Sequence, residues 1–169
     1  MLTNIGLGGG CHWCTEAVFQ SLIGVEKVDQ GWVNSYNGNY AFSEAVVVTF
    51  NSEDISLKTL IEIHLHTHKS TVAHSFREKY RSAIYAFSET QLEQSNSILL
   101  SLQSDFSNKI ITKVIPFSSF KASREEIQNY YLKNPRKPFC EKYINPKLDL
   151  LLYRFTNIVD KEKLKHLAS

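Results

Sequence analysis

The chain is poor in the residues that mark specialised protein classes. Its 169 residues include 3 cysteines, 4 prolines, 7 glycines and 1 methionine. Three cysteines are too few for a disulfide scaffold, and so little glycine and proline excludes collagen-like and low-complexity sequences. No apolar run approaches the ~20 residues of a membrane-spanning helix. No basic segment followed by an apolar one opens the chain as an export signal does. Charge of one sign is lacking too: 19 Lys and Arg face 17 Asp and Glu, a net of +2, too balanced to point to nucleic acid. These absences lead us to expect a cytoplasmic, monomeric protein with neither nucleic acid nor membrane as partner. In a reducing compartment, a pair of cysteines three residues apart reads as redox or metal chemistry, not as a structural staple.

The composition that is present, 43% apolar and 21% charged, suits one globular domain able to bury roughly 70% of its unfolded surface. Strand-like and helix-like periods alternate unevenly. Leu2 to Leu7, Val25 to Val33, Glu44 to Phe50, Arg81 to Phe87 and Lys109 to Phe117 read as strands. Cys11 to Leu22 reads as a helix, and so does the stretch carrying Leu57, Leu60, Ile61 and His64. Asn37-Gly38 is hairpin chemistry. Ser88 with Gln91, and Ser123 with Glu126, resemble capping boxes. After Pro135 the pattern is irregular, with Leu148 to Phe155 apolar enough to pack back on the core. The late lysines, among them Lys142 and Lys147, read as a solvated face. This pattern predicts an α+β fold, a two-layer arrangement of sheet and helices in a single domain.

The chemistry concentrates in Gly8-Gly9-Gly10-Cys11-His12-Trp13-Cys14-Thr15-Glu16. Glycines lead from a strand into a helix whose first turn holds a cysteine. Orphan amides and the positive end of the helix dipole stabilise a thiolate there, and glycine lets a substrate approach the backbone. Cys14 lies on nearly the same helix face and is able to pair with Cys11 or shield it from over-oxidation. Zinc is the alternative, but no second Cys-x-x-Cys accompanies the first. His64, His66 and His68 do not chelate together on a helix, because His66 points away from the other two. No metal site is expected.

Gly9 to Glu16 resembles the active-site signature of the A-type peptide methionine sulfoxide reductases, Gly-Gly-Cys-Phe-Trp-Gly/Cys-x-Glu. The resemblance continues through Gly24-Val25-Glu26-Lys27-Val28, Gly31-Trp32, Ser43-Glu44-Ala45-Val46 and Tyr80-Arg81-Ser82-Ala83-Ile84-Tyr85. It ends in Glu126 to Tyr131, Phe139-Cys140 and Ile144 to Leu148. It implies a ferredoxin-like catalytic domain over 1–155 with a tail over 156–169. It also implies thiol-dependent reduction of a sulfoxide, with methionine-S-sulfoxide, free or in peptides, as the expected substrate. On that basis Cys11 is the nucleophile that becomes a sulfenic acid, and Cys140, ahead of Cys14, resolves it. Trp13 walls the methyl group, Tyr80 holds the oxygen, and no cofactor is needed beyond an external thiol reductant such as thioredoxin.

This sequence departs from the family pattern at several of those positions. His12 replaces the phenylalanine, and Trp32 replaces a tyrosine. Lys69-Ser70 replaces an Asp-Pro, and Ser75 falls where an aspartate belongs. Nothing between Trp32 and Phe42 is acidic, so the proton donor is expected to be His12 or Glu16, with Glu44 structural or in contact with substrate. Two other readings remain open: a degenerate member acting as a binding or sensor domain, and a disulfide oxidoreductase using Cys11 and Cys14.

Overall fold

The computed structural model describes residues 1–73 and 76–167. Strand β1 (Leu2–Gly8) leads into helix α1 (His12–Gln20), and β2 (Val25–Asn34) and β3 (Ser43–Asn51) follow as a hairpin. Then come α2 (Leu57–Thr67), β4 (Ala83–Ala86) and α3 (Glu89–Leu102). The two β–α–β units interleave in the central order β4-β1-β3-β2, every pair antiparallel. That is the ferredoxin-like arrangement, and the α+β two-layer reading holds. Two short strands extend it: β5 (Lys113–Pro116) runs parallel to β4, and β6 (Ser119–Ala122) runs antiparallel to β2.

Alternation along the strands divides the core. Ile5, Leu7, Val46, Val48, Phe50 and Ile84 face the helices and join Val18 and Phe19 of α1 and Leu60 and Ile61 of α2. Their neighbours Val33, Ala45, Val47, Ala83 and Tyr85 form a second cluster on the other face. A period of two sends successive side chains to opposite faces, so both clusters follow from one set of strands. Only residues 117 and 118 separate β5 from β6, yet these strands occupy opposite edges of the sheet. Two residues span less than ~8 Å, so the sheet curls until its edges meet. Phe117 N–H donates to Ala86 O at 2.8 Å, and Ser118 N–H donates to Asn34 O at 3.1 Å. The single strand expected over Lys109 to Phe117 is thus a shorter β5, and β6 follows it.

Of the two capping boxes, the one at Ser88 forms: its side chain accepts from Gln91 N at 3.1 Å. The one at Ser123 does not. Glu125–Ile127 makes only a tight 3-10 turn with no side-chain cap. Gln128 instead turns to β2 just beyond the end of β6, donating to Gln30 O at 2.7 Å and accepting from Gln30 N at 3.3 Å. Asn129 then takes a left-handed conformation, φ 57°, before helix α4 (Tyr130–Lys133). The segment after Pro135 is not irregular: a π-turn at Cys140–Ile144 runs into α5 (Asn145–Arg154). Proline in the first turn of α5 costs no hydrogen bond, and Leu148 and Leu151 are fully buried. Residues 156–167 also dock on the body. Ile23 N–H donates to Ile158 O and Asp160 N–H to Ser21 O, each at 2.8 Å, and Val159 and Leu164 are buried.

Candidate active site

Cys11 sits between the glycines after β1 and the first turn of α1. Its carbonyl accepts from Cys14 N at 3.1 Å and Thr15 N at 3.2 Å, which starts the helix. Gly9 is required here, because a side chain at that position would overlap the His68 ring. The Cys11 thiol is held below its ordinary pKa. The adjacent Cys14 thiol is the strongest cause, with the backbone N–H groups of Trp13 and Cys14 adding to it, while burial and the Glu44 carboxylate oppose. These are the unpaired amides of a helix start acting on an anion. Cys14 is pushed far up in return, by its bond to Cys11 and by burial. Cys140, with no exposed surface, is raised by burial, and its Sγ lies 3.6 Å from Asn134 O.

His12 and Trp13 are sequence neighbours pointing to different surroundings. His12 is buried against the sheet, with its Nδ1 2.7 Å from Gly31 O. A carbonyl only accepts, so Nδ1 carries the hydrogen and Nε2 is left facing Glu44 Oε1 at 3.5 Å. The His12 backbone N–H donates to the same Oε1 at 3.2 Å. The His12 ring and the Glu44 carboxylate therefore form a close polar pair beside the Cys11 turn. Burial lowers the His12 pKa, partly offset by Gly31 and Glu44. The β2–β3 register sets Trp32 opposite Glu44, and the Trp32 ring meets His12 edge-on with centroids 5.2 Å apart. Lys79, which nothing in the sequence singles out, lies 3.8 Å from Glu44 Oε2 and 5.1 Å from the Tyr80 ring centre. Glu44 thus sets a buried carboxylate on the backbone of His12, next to Cys11.

Trp13 stacks on Tyr130, with centroids 4.2 Å apart and planes 11° apart, and meets Phe139 edge-on at 5.3 Å. Phe139 in turn lines an open cavity of about 450 Å³ together with Cys11, Cys14, Tyr80, Tyr143 and Lys147. His12, Trp13, Trp32 and Glu44 are not among its lining residues. Thus Tyr80 is placed at the cavity, and Trp13 backs the aromatic wall. Lys147, expected on a solvated face, is instead partly buried, donates from Nζ to Thr67 O, and is held below its ordinary pKa by burial. Tyr130, Tyr143 and Lys147 escape notice in the sequence because only the folding-back of α4 and α5 brings them to Cys11.

Glu16 does not face the reaction centre. It is fully buried and accepts from Gln30 Nε2 at 2.9 Å, Asn129 N at 2.9 Å and Tyr130 N at 3.1 Å. It ties α1 to the start of α4, a structural role in place of the expected proton donation. The position of Ser75 falls outside the described residues. The His64 and His68 rings lie 4.2 Å apart, tilted by 30°, whereas His66 turns to Phe106, 4.5 Å away. Both nitrogens of His68 are engaged, by His64 O at 2.5 Å and Ser82 Oγ at 2.8 Å. Among the described residues, Glu62, His66 and Asp105 bring ligand atoms within 4.8 Å of one another. An Arg154 nitrogen 3.4 Å from His66 Nδ1 argues against a second cation there.

A cysteine whose thiol pKa is lowered at the head of a helix on a ferredoxin-like sheet, with a buried acid beside it, defines a thiol-based oxidoreductase. The family model described as "Peptide methionine sulfoxide reductase" matches residues 3–157, and the chain belongs to that family. It is 35% identical over 175 residues to peptide methionine sulfoxide reductase MsrA of Trichodesmium erythraeum, covering 94% of this chain and 99% of that protein. Among solved structures it is similar to Mxr1 from Saccharomyces cerevisiae in reduced form, with a TM-score of 0.72 and 27% identity over 84% of this chain and 91% of that one. Mxr1 has also been solved in complex with Trx2; that likeness, at 24% identity and a TM-score of 0.62 over 74% of this chain and 83% of that one, concerns the fold.

Proposed function

We propose that the chain reduces methionine-S-sulfoxide, free or in peptides, with Cys11 as nucleophile. The observation that carries this is the Glu44 carboxylate on the His12 N–H, one residue from a stabilised thiolate. The Cys11 thiolate attacks the sulfoxide sulfur, and the His12–Glu44 pair relays a proton to the oxygen. The oxygen ends on Cys11 as a sulfenic acid, and the sulfur regains its lone pair as the thioether of methionine. General acid catalysis is worth roughly 10²–10⁴-fold, which gives the His12–Glu44 pair a central part. The Tyr80 hydroxyl and the Trp32 N–H are the remaining candidate donors to the oxygen. Trp13 backs the wall that receives the methyl group.

Cys14 is better set than Cys140 to resolve the sulfenic acid. It occupies the third helical position after Cys11 and already bears on its sulfur. Its attack forms the Cys11–Cys14 disulfide and releases water. Cys140 is sequestered on the π-turn. A thioredoxin-like dithiol then returns the disulfide to two thiols.

The test is a single turnover of reduced protein with free and peptidyl methionine-S-sulfoxide, followed by disulfide mapping. About one methionine per chain is expected, lost in Cys11→Ser, with Cys11 joined to Cys14. No methionine from either substrate, with Cys11 still a free thiol, would overturn the reading.

A further inference from the structure

Among the described residues, the cavity at Cys11 is lined by three lysine or arginine side chains, Lys69, Arg77 and Lys147, and by no carboxylate. Two of the three have structural employment. Arg77 is held by four carbonyls: its Nε donates to Val72 O at 3.0 Å, Nη1 to Gly9 O at 2.8 Å and Tyr80 O at 2.9 Å, and Nη2 to Lys69 O at 2.5 Å. It fastens the segment after α2 to the glycine turn and so shapes the wall. Lys147 lies deeper, on Thr67 O and within electrostatic reach of both Cys11 and Cys14. Lys69 differs. It is exposed at the mouth, and among the described residues its ammonium has no hydrogen bond or ion pair. It also acts on Lys147 as a like charge. Two ammonium groups facing one cavity without an intervening carboxylate are an unfavourable arrangement that an anion relieves. The sequence reinforces this, because Lys69 stands where the family pattern has an aspartate, which reverses the charge at the mouth.

The geometry points to Lys69 as a specificity residue that binds a carboxylate carried beside the sulfoxide side chain. This rests on the reductase reading above and narrows its substrate class to anionic sulfoxides. The carboxylate has two possible sources: the α-carboxylate of methionine sulfoxide itself, or the side chain of an adjacent Asp or Glu in a peptide. A cavity of about 450 Å³, within the ~300–1,000 Å³ of small-ligand sites, has room for the methionine sulfoxide side chain and a neighbouring carboxylate. Lys147 adds long-range attraction while remaining with the cysteine pair.

The test measures kcat/KM for two matched pairs of substrates. N-acetyl-methionine sulfoxide against its amide reports on the α-carboxylate. Capped tripeptides with Asp or Asn before methionine sulfoxide report on the side chain. The readout is the acid-to-neutral ratio within one protein variant, so any loss of folded protein cancels. The expected ratio is about five- to tenfold in at least one pair, carried by KM with kcat little changed, and it falls as salt is raised. In Lys69→Ala the ratio approaches one, and in Lys69→Glu it inverts. The pair that shows the preference identifies the source of the carboxylate. Equal rates for acid and neutral substrates in both pairs would overturn the inference, as would a preference that survives Lys69→Glu. If the unmodified protein reduces none of the four, the reductase reading itself fails, whatever Lys69 does.

Discussion

Cys11 stands between two unlike regions. On the sheet side, His12, Glu44 and Gly31 form a buried polar group with the Trp32 ring against it. On the other side, Trp13, Tyr130, Phe139 and Tyr143 form an aromatic wall, with Lys147 lining the same cavity. Adjacent helix residues point about 100° apart, so one helical step separates the two at positions 12 and 13. The sheet side is fixed by strand register and the helical side by chain that returns from far along the sequence. A sulfoxide needs both, because its oxygen must be protonated while its methyl group is kept from water. The difference implies that one side can be disabled without disabling the other.

The largest effect is expected on the sheet side. Glu44→Gln removes the carboxylate of the proposed proton relay, and sulfoxide reduction should fall about 10²–10³-fold. Alkylation of Cys11 by iodoacetamide should be no slower, because Glu44 raises the Cys11 pKa and its removal favours the thiolate. If alkylation falls in step with reduction, Glu44 serves the nucleophile and not the oxygen. His12→Phe keeps the bond from the backbone N–H to Glu44 but removes the ring. It should cost about tenfold less than Glu44→Gln and shift the acid limb of the pH–rate profile. An unshifted limb would remove His12 from the proton's path.

Next to the main cavity lies a small one of about 40 Å³ lined by Cys11, Cys14, His64, His68 and Lys147, among others. Burial holds His64 at a pKa of about 4 and His68 well below its ordinary value. The unfolded chain binds a proton at His64 near pH 6.5 and the folded chain does not, so stability falls as pH drops from about 6.5 to about 4. The His64 share is about 3 kcal/mol across that window. His64→Phe should remove this share, which urea midpoints at pH 7 and pH 4.5 would reveal as a smaller acid loss than in the unmodified protein. Parallel losses in both would show that His64 is not the group responsible.

How much of this was legible depended on how local each cause was. The start of α1 was readable because three glycines, a cysteine and helix-end electrostatics all act within a few residues. The α+β two-layer class also followed from alternation and turn chemistry, whereas the ferredoxin-like strand order was implied only by the resemblance to the reductase family. Glu44 reads from the sequence as structural or in contact with substrate, and its place beside His12 depends on register: Trp32 faces Glu44 across the hairpin, and no short-range pattern announces that. Ser123 with Glu126 has the same local pattern as Ser88 with Gln91, yet only the latter caps a helix. The difference lies far away, at Gln30 of β2 just beyond the end of β6, which Gln128 covers. The π-turn carrying Cys140 likewise has no local signature, which is why its burial behind Cys14 could not be anticipated.

Glu16 joins the two regions, and it sharpens the comparison with the smallest of the expected effects. It begins on α1, beside the nucleophile, and ends on Asn129 and Tyr130, the root of the aromatic wall. Glu16→Gln preserves shape and keeps one acceptor oxygen, which can still serve Tyr130 N and Gln30. The new NH₂ then faces the Asn129 N–H, donor against donor, and leaves a buried group unsatisfied. Such a group costs about 1–3 kcal/mol. Stability should therefore fall by about 2 kcal/mol in urea unfolding. The Trp13–Tyr130 stack should loosen, read as a red shift and weakening of tryptophan fluorescence. For sulfoxide reduction, KM should rise while kcat changes little, because the acid on the sheet side is untouched. A kcat loss as large as that of Glu44→Gln would instead make Glu16 the proton donor and dissolve the division between the two sides.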